Sequence, residues 1–334
     1  MNIAILGFES CLGLGFVGAA DMLTLSRRMI AKKDAPEPYN VVAVSHDGQP
    51  IRDGAGRRYE VEARFDEVDG CAAIIVPGYV CDGGHALPPF PAIGAAAAWL
   101  RRQHALGAII AGSCNGVFLL GEAGLLDGRR CTTTWWRHNE LKTRYPRADA
   151  AWGASLIEDG RIVTAGGPLS WIDLSLHIIR ALLGPEAAKT AADFTVVDMV
   201  PSTQAIYIPP GHLSASNPLL LEAEHIVRQA GDAQLTTIEL ARALGVSERT
   251  LHRRLKEATG ETPKHFLDRL RFDTARTLLE TTRNSVKQLA AASGYADETS
   301  FRRAFRRYSG MTPGAYRSWS QARRGINKQQ RDDY

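Results

Sequence analysis

Basic side chains recur at helical spacing in two segments of the C-terminal third of this 334-residue chain. In the first segment, Leu251 and Leu255 stand four residues apart and predict the inward face of an amphipathic helix. The outward face of that helix then carries Arg249, His252, Arg253 and Lys256. Guanidinium groups in such an array can bind phosphate oxygens or donate in pairs to guanine edges in a major groove.

The second segment repeats this arrangement about fifty residues later, counted along the sequence. Phe301 and Phe305 take the inward positions, and the outward positions hold Thr299, Arg302, Arg303 and Arg306. A single basic helix face is more often a solvated surface than a nucleic-acid contact, but two matched copies favour DNA recognition. Basic groups near the helix ends, such as Lys256 and Arg307, are expected to contact phosphate and to set affinity.

Local signals indicate how these two helices are positioned. Each copy begins with a capping box, which satisfies unpaired amides at a helix start. The boxes pair Thr236 with Glu239 and Ser285 with Gln288. A glycine follows in each copy, where a tight turn between two helices needs a permissive backbone. The two glycines are Gly245 and Gly294. This pattern is typical of helix-turn-helix units.

The remaining boundaries follow from proline positions. Thr262-Pro263 provides an N-cap and a first-turn proline, and it predicts a long helix from Pro263 to about Thr282 that joins the two units. We therefore assign 219–325 to an all-α double helix-turn-helix domain, with a polar tail at 326–334. The irregular, proline-rich segment 199–218 is the expected linker, which leaves 1–198 as a first domain.

Charge is distributed unevenly between these parts. From residue 221 onward the chain has 21 Lys and Arg against 14 Asp and Glu, a formal net charge of +7. Residues 1–220 have 19 basic and 22 acidic side chains, a net charge of −3. The basic excess in the C-terminal part is compatible with a polyanionic partner, although charge alone does not identify one.

The C-terminal part resembles the DNA-binding domain of the AraC/XylS family. The similarity lies in LARALGVSERTLHRRLKEATGETP and LAAASGYADETSFRRAFRRYSGMTPGAYR, and it covers both helix-turn-helix units. The resemblance implies that the base-reading positions are Arg249, His252 and Arg253 in the first unit and Thr299, Arg302 and Arg303 in the second. It also implies two readable DNA segments about one helical turn, roughly 34 Å, apart.

The first 198 residues alternate short apolar runs with helical patterns. The segments 2–6, 41–45, 72–76 and 108–111 read as buried strands, and 91–103 and 116–126 read as helices. This alternation predicts an α/β fold, a flavodoxin-like parallel sheet with helices on both faces. IIVPGY at 74–79 and the segment 111–136 resemble the PfpI-like, amidotransferase-related domain. Joined to AraC-type units, this domain gives the architecture of GlxA-like regulators.

Cys114 lies in the sequence GSCNG, directly between a predicted strand and a predicted helix. This placement resembles a nucleophile elbow, in which a thiol at the positive end of a helix is easier to ionise. Enzymes of the family use a histidine after the GLLDG turn as the base, but Thr134 holds that position and His138 comes four residues later. We therefore predict that this domain is not an enzyme. Cys114 is either a small residue that fits a tight turn or, alternatively, a redox-sensing thiol.

A ligand pocket is expected where parallel strands end at their carboxyl side. The candidate pocket residues are Glu9, Gly78, Cys114, Asn115, Trp135 and Trp136. Amides after Cys114 could bind an anionic group, and the tryptophans could enclose an apolar or quaternary-ammonium ligand. Each tryptophan is equally consistent with a place in the core, and Glu9 with an exposed loop carboxylate.

Together these features predict a cytoplasmic, sequence-specific transcription regulator controlled by a small-molecule effector. The expected partners are a double-stranded DNA operator, an unknown effector, a second copy of the chain in a homodimer, and RNA polymerase if the protein is an activator. The five cysteines lack metal-site or disulfide spacing, and we expect no metal, no cofactor, no signal peptide and no membrane span. Two alternatives remain: a DNA-binding protein with cysteine-dependent amidase or glyoxalase-like activity, and a nucleic-acid-binding module without sequence preference.

Overall fold

The computed structural model describes residues 1–31, 36–80, 87, 92–197, 203–207, 218–230, 235–259 and 261–321. The chain divides into two units, Met1–Gln204 and Ala205–Tyr334. The division falls inside the predicted linker 199–218, most of which lies outside the described residues, as does the predicted tail 326–334.

The first unit contains a seven-stranded sheet. The described strands of the whole unit, four of which lie outside this sheet, are β1 (Asn2–Leu6), β2 (Asn40–Ser45), β3 (Ile51–Arg52), β4 (Arg58–Tyr59), β5 (Ala63–Arg64), β6 (Cys71–Val76), β7 (Ile109–Ser113), β8 (Arg130–Cys131), β9 (Asp149–Ala150), β10 (Leu156–Asp159) and β11 (Ile162–Ala165). The main sheet has the order β10-β11-β7-β6-β1-β2-β5, and all its pairs are parallel except β10 with β11. The predicted parallel α/β sheet is confirmed.

The first unit has six described helices, and five of them form two groups. The six helices are α1 (Gly13–Ile30), α2 (Ile93–Ala105), α3 (Val117–Glu122), α4 (His138–Arg144), α5 (Trp171–Leu183) and α6 (Pro185–Thr195). Helices α1, α5 and α6 contact one another, whereas α2 and α3 contact each other and β7. The central strands β1, β6 and β7 are largely apolar and buried because both faces of the sheet are covered there, and Ile3, Ile5 and Ile74 are fully buried. The helix predicted at 116–126 is shorter than expected, since Gly124 adopts a positive φ of 69° after α3 ends.

The second unit is helical in its described residues. It contains α7 (Pro218–Ala230), α8 (Thr237–Ala243), α9 (Glu248–Thr259), α10 (Pro263–Thr281), α11 (Val286–Ala292) and α12 (Glu298–Ser309), followed by a helical segment at 313–321. One apolar core includes Leu251, Leu255 and Phe266, and a separate core includes Phe272 and Phe301. Because α10 contributes to both cores, it joins the two helix-turn-helix units as predicted.

The predicted caps are present. The Ser285 hydroxyl accepts a hydrogen bond from the Gln288 amide at 3.3 Å, and the Gln288 side chain accepts one from the Ser285 amide at 2.8 Å. Thr236 and Glu239 form the equivalent box in the first helix-turn-helix unit. The turn glycines Gly245 and Gly294 adopt φ values of 64° and 74°. Each is in the left-handed region that favours glycine.

Buried charges fix the middle of α10. The Arg269 side chain, which is 10% exposed, lies 3.1 Å from a Glu261 oxygen and 3.6 Å from an Asp273 oxygen. Burial raises the pKa of Asp273 to about 6, while Arg269 and Arg276 oppose that rise. Arg269 therefore provides a positive charge to both carboxylates, and Arg276, 3.7 Å from Asp273, provides a second one to Asp273.

Two features are absent from the described part of the chain. No helix there is long and apolar enough to cross a membrane. No group of three or more His, Cys, Asp or Glu residues there is arranged to hold a metal ion.

Candidate functional site

Helix α9 presents a basic surface in the first helix-turn-helix unit. The Ser247 hydroxyl accepts a hydrogen bond from the Thr250 amide at 3.2 Å, which starts the helix in the turn after Gly245. Leu251 and Leu255 are fully buried, as their spacing predicted. The predicted DNA-binding residues on the opposite side are all exposed: Arg249, His252, Arg253 and Lys256.

One of these groups has an acidic neighbour on the same helix. The Arg253 guanidinium lies 3.0 Å from a Glu257 carboxylate oxygen, and both side chains are more than 60% exposed. An exposed ion pair of this kind contributes only about 0.3–0.5 kcal/mol. Arg253 can therefore leave Glu257 for a base or phosphate at little cost.

Helix α12 presents the matching surface in the second unit. Its N-cap, Asp297, accepts a hydrogen bond from the Ser300 amide at 2.8 Å, and this bond lowers the pKa of the carboxyl. Phe301 and Phe305 are buried in the second core. The predicted residues Thr299, Arg302, Arg303 and Arg306 are all exposed. Both recognition surfaces therefore have the inward and outward faces that the sequence predicted.

The α12 surface borders an open groove of about 550 Å³. It is lined by Thr299, Arg302, Arg303, Arg306, Arg307 and Thr312. The Arg302 guanidinium lies 2.6 Å from Glu298, one helical turn earlier, and the Arg307 guanidinium lies 3.5 Å from Asp268 of α10. Four guanidinium groups around one groove favour binding of phosphates and base edges.

One residue of this groove, Thr312, was not predicted to contact DNA, whereas Arg307 was predicted to contact phosphate. Arg307 stands four residues after Arg303, so helical spacing alone could have assigned it to the groove. Thr312 lies beyond the end of α12, where helical spacing gives no signal. The groove thus extends past the recognition helix to the start of the next helical segment.

In the first unit, Cys114 forms the predicted elbow. It follows β7 directly with a φ of 56°, in the left-handed region that is uncommon outside glycine. Its side chain is 5% exposed. A Cβ added at Gly78 would lie 2.9 Å from the Cys114 Cβ, so only glycine fits against this thiol without a shift. The elbow at Cys114 and the loop after β6 at Gly78 are therefore tightly packed against each other.

Asn115 holds the loop after β6 against this elbow. Its side-chain oxygen accepts a hydrogen bond from the Tyr79 amide at 2.8 Å, and its side-chain nitrogen donates to the Tyr79 carbonyl at 2.9 Å. Gly78, Cys114 and Asn115 therefore lie together at the carboxyl ends of β6 and β7. Three of the six predicted pocket residues meet at this point.

The segment after β8 lies on the other side of the elbow. The Thr133 hydroxyl donates a hydrogen bond to the Cys114 carbonyl at 2.8 Å, and Thr134 is fully buried. His138 is 2% exposed, and its ring centroid lies 5.0 Å from that of Trp152. Burial and the nearby Lys142 lower the pKa of His138 to about 4. Its imidazole is therefore neutral at neutral pH.

The remaining predicted pocket residues are Trp135, Trp136 and Glu9. Trp135 and Trp136 form an edge-to-face pair with ring centroids 5.1 Å apart, and Trp136 is 47% exposed. The Glu9 carboxylate accepts a hydrogen bond from the Arg52 amide at 3.1 Å and lines a separate cavity of about 180 Å³ at the ends of β1 and β2.

Four thiols of the first unit are buried and outside any disulfide: Cys11, Cys71, Cys114 and Cys131. Burial raises the pKa of Cys11 and Cys131 to about 12 and that of Cys71 to about 11. These three thiols are therefore poor nucleophiles at neutral pH, and Cys114 at the elbow is the fourth thiol of the described residues; Cys81 lies outside them.

The first unit matches a known family. The model of the DJ-1/PfpI family matches residues 3–181, which include the whole sheet and the elbow. The chain belongs to the DJ-1/PfpI family. A helix-turn-helix domain model matches residues 240–318 and so includes both α9 and α12. This member of the family therefore carries an AraC-type helix-turn-helix domain behind its DJ-1/PfpI domain, as the sequence resemblance implied.

Relatives share this architecture over most of their length. The HTH-type transcriptional regulator CdhR of Pseudomonas aeruginosa is 29% identical over 309 residues, 91% of this chain and 88% of that protein. The HTH-type transcriptional regulator GlxA of Rhizobium meliloti is 29% identical over 284 residues, 84% of this chain and 85% of that protein. Isonitrile hydratase of Pseudomonas putida is 28% identical over 171 residues, 48% of this chain and 71% of that enzyme. The family therefore includes regulators and at least one enzyme.

Proposed function

We propose that this protein is a transcription regulator that binds double-stranded DNA in a sequence-specific manner. The observation that carries the proposal is the duplication of one arrangement: α9 and α12 each bury one apolar face and expose a basic one. A nonspecific DNA-binding module needs only positive charge, whereas two matched recognition helices joined by α10 suit two successive major-groove segments. The similarity to regulators along most of the chain supports this function.

Different groups of the two helices have different roles in this proposal. Arg249, His252 and Arg253 read bases from α9, and Thr299, Arg302 and Arg303 read bases from α12. Lys256, Arg306 and Arg307 lie toward the ends of these helices and bind phosphate. Phosphate contacts set the affinity and its salt dependence, and base contacts set the sequence preference.

The first unit senses a small-molecule effector at the elbow. Gly78, Cys114 and Asn115 form one wall of the effector site, and Trp135 and Trp136 form a second, aromatic one. Effector binding changes the DNA affinity of the second unit, which is a coupling between two sites and requires no catalysis. The regulator acts as a cytoplasmic homodimer, and an activator would also contact RNA polymerase.

Selection of duplexes from a random DNA pool tests this function. Purified full-length protein at near-physiological salt is expected to enrich a motif with two segments about one helical turn apart. Equal retention of all sequences, with one salt dependence for every duplex, would support a nonspecific module instead.

A second candidate function is catalysis by Cys114. The positive φ of Cys114 and the similarity to isonitrile hydratase favour it. The test is turnover of a simple isonitrile and of p-nitrophenyl acetate by the full chain and by Cys114→Ser. A regulator without enzyme activity gives equal, background rates for both proteins, and a rate that depends on Cys114 would establish the enzyme.

A further inference from the structure

The side chain of Gln204, the last residue of the first unit, is inserted into that unit and is 6% exposed. Its amide nitrogen donates hydrogen bonds to the Thr133 carbonyl at 2.9 Å and to the Ala154 carbonyl at 2.7 Å. Its side-chain oxygen accepts a hydrogen bond from the Trp135 amide at 3.0 Å. Both N–H groups and the carbonyl of this carboxamide are thus matched by main-chain partners.

The surroundings of Gln204 are shaped for this side chain. A Cβ added at Gly166 would lie 1.9 Å from the Gln204 amide nitrogen, so any larger residue at 166 would displace it. The main chain is held as well, because the Gln204 amide donates to the Gly153 carbonyl at 3.0 Å. The Thr203 hydroxyl donates to that same carbonyl at 3.1 Å. The beginning of the connection to the second unit is therefore fixed at 203–204.

The segment that holds Gln204 also contacts the elbow. Thr133 accepts from Gln204 through its carbonyl and donates to the Cys114 carbonyl through its hydroxyl, at 2.8 Å. Trp135, whose amide donates to Gln204, belongs to the aromatic pair of the proposed effector site. A change in the position of this segment at the elbow must alter the hydrogen bonds of Gln204.

The residues that follow Gln204 belong to the second unit. A 3-10 turn spans Gln204–Tyr207, and Tyr207 belongs to the second unit. Within that unit, the Tyr207 ring packs edge-on against Trp319, with ring centroids 6.1 Å apart. The turn thus begins at the last residue of the first unit and continues into the second unit.

We propose that Gln204 is a latch that connects the effector site to the DNA-binding unit. Effector binding moves the Thr133–Trp135 segment, breaks the hydrogen bonds of the Gln204 carboxamide and releases the start of the connection. This inference rests on the proposed function, because it takes DNA reading and effector sensing as given. It names the residue through which the two are coupled.

Hydrogen exchange in the full-length protein tests whether the Gln204 side chain protects the Trp135 amide through their hydrogen bond. Gln204→Ala removes the acceptor of the Trp135 amide, and Gly166→Ala places a methyl group against the same carboxamide and against the Thr133 carbonyl. Both variants are expected to exchange the Trp135 amide at least tenfold faster, with the amides of β1 unchanged. Gly94→Ala is the matched control, since a Cβ there meets open space. An unchanged Trp135 amide in Gln204→Ala would overturn the latch.

The affinity for a selected duplex tests whether the latch residue Gln204 regulates DNA binding. Gln204→Ala and Gln204→Glu are both expected to change this affinity at least tenfold, because the glutamate carboxylate cannot donate to the two carbonyls. Faster exchange of the Trp135 amide together with a wild-type DNA affinity would overturn the regulatory role of Gln204. That result would still support the hydrogen bond between Gln204 and Trp135 in the wild-type protein. If wild-type protein selects no duplex, the proposed function itself fails, whereas the exchange measurement still decides the contact.

Discussion

Replacing Arg302 by alanine removes one guanidinium from the α12 surface without disturbing the core. The side chain is 49% exposed, and its ion pair with Glu298 is formed on the same helix. The neighbouring Phe301 and Phe305, which hold α12 in place, are fully or almost fully buried and remain unchanged. The variant therefore isolates the contact that Arg302 makes with DNA.

The expected loss combines two effects. A bidentate contact between arginine and guanine contributes about 1–3 kcal/mol of discrimination. In the unbound protein the guanidinium is paired with Glu298, and giving up such an exposed pair costs about 0.5 kcal/mol. Arg302→Ala should therefore weaken binding to the selected duplex by about 0.5–2.5 kcal/mol, roughly twofold to seventyfold at 25 °C.

Fluorescence anisotropy with a labelled duplex measures this loss at fixed salt. The matched control is Arg180→Ala, which removes the same charge from an exposed position of the first unit. We expect wild-type affinity for the control, and for Arg302→Ala a much smaller loss on random DNA than on the selected duplex. An equal loss on both duplexes would refute base reading by Arg302 and would assign this residue to phosphate binding.

Three further predictions concern stability. His138 has a pKa of about 4 in the folded protein and 6.5 in the unfolded chain. Its contribution to the stability of the folded state is therefore fully present above pH 6.5 and is lost as pH falls toward 4. In urea unfolding, the free energy of unfolding of the first unit should fall by about 2 kcal/mol from pH 8 to pH 5 because of this group. A His138→Asn variant whose free energy of unfolding falls by the same full amount would contradict this origin. Arg269→Ala removes the ion-pair partner of the largely buried Glu261 carboxylate, leaves Asp273 with its 3.7 Å pair to Arg276, and should destabilise the second unit by about 3 kcal/mol in thermal unfolding. A loss no larger than that of the exposed control Arg283→Ala would be inconsistent with a buried ion network. Ser285→Ala removes one half of a capping box and should cost about 1 kcal/mol by the same measurement; no change would mean that solvent satisfies those amides equally well.

The DNA-binding unit was predictable in detail because its signals are local. A capping box, a turn glycine and the spacing of inward residues all lie within about thirty positions of one another in each copy. The structure places Leu251, Leu255, Phe301 and Phe305 inside as that spacing requires. Periodicity alone could not place Thr312, because this residue lies beyond the helix whose spacing defines the groove.

The first unit was predictable in its architecture and only partly at its candidate site. Cys114 and Gly78 were found because a strand followed at once by a helix fixes an elbow and the loop beside it. Glu9 was predicted near them from its place after β1, but its carboxylate binds the Arg52 amide, a contact between residues 43 positions apart. Gln204 gave no signal, since its partner Thr133 is 71 positions away and its own segment has no periodicity.

The most direct test of the central claim is parallel duplex selection with wild-type protein, Arg253→Ala and Arg302→Ala. Wild-type protein is expected to select a motif of two segments about one helical turn apart, and each variant is expected to lose sequence preference in one segment and to keep it in the other. Loss of preference in different segments for the two variants would establish that α9 and α12 read separate grooves. Motifs that are identical for all three proteins, or equal retention of every sequence, would contradict the claim that these helices read DNA sequence.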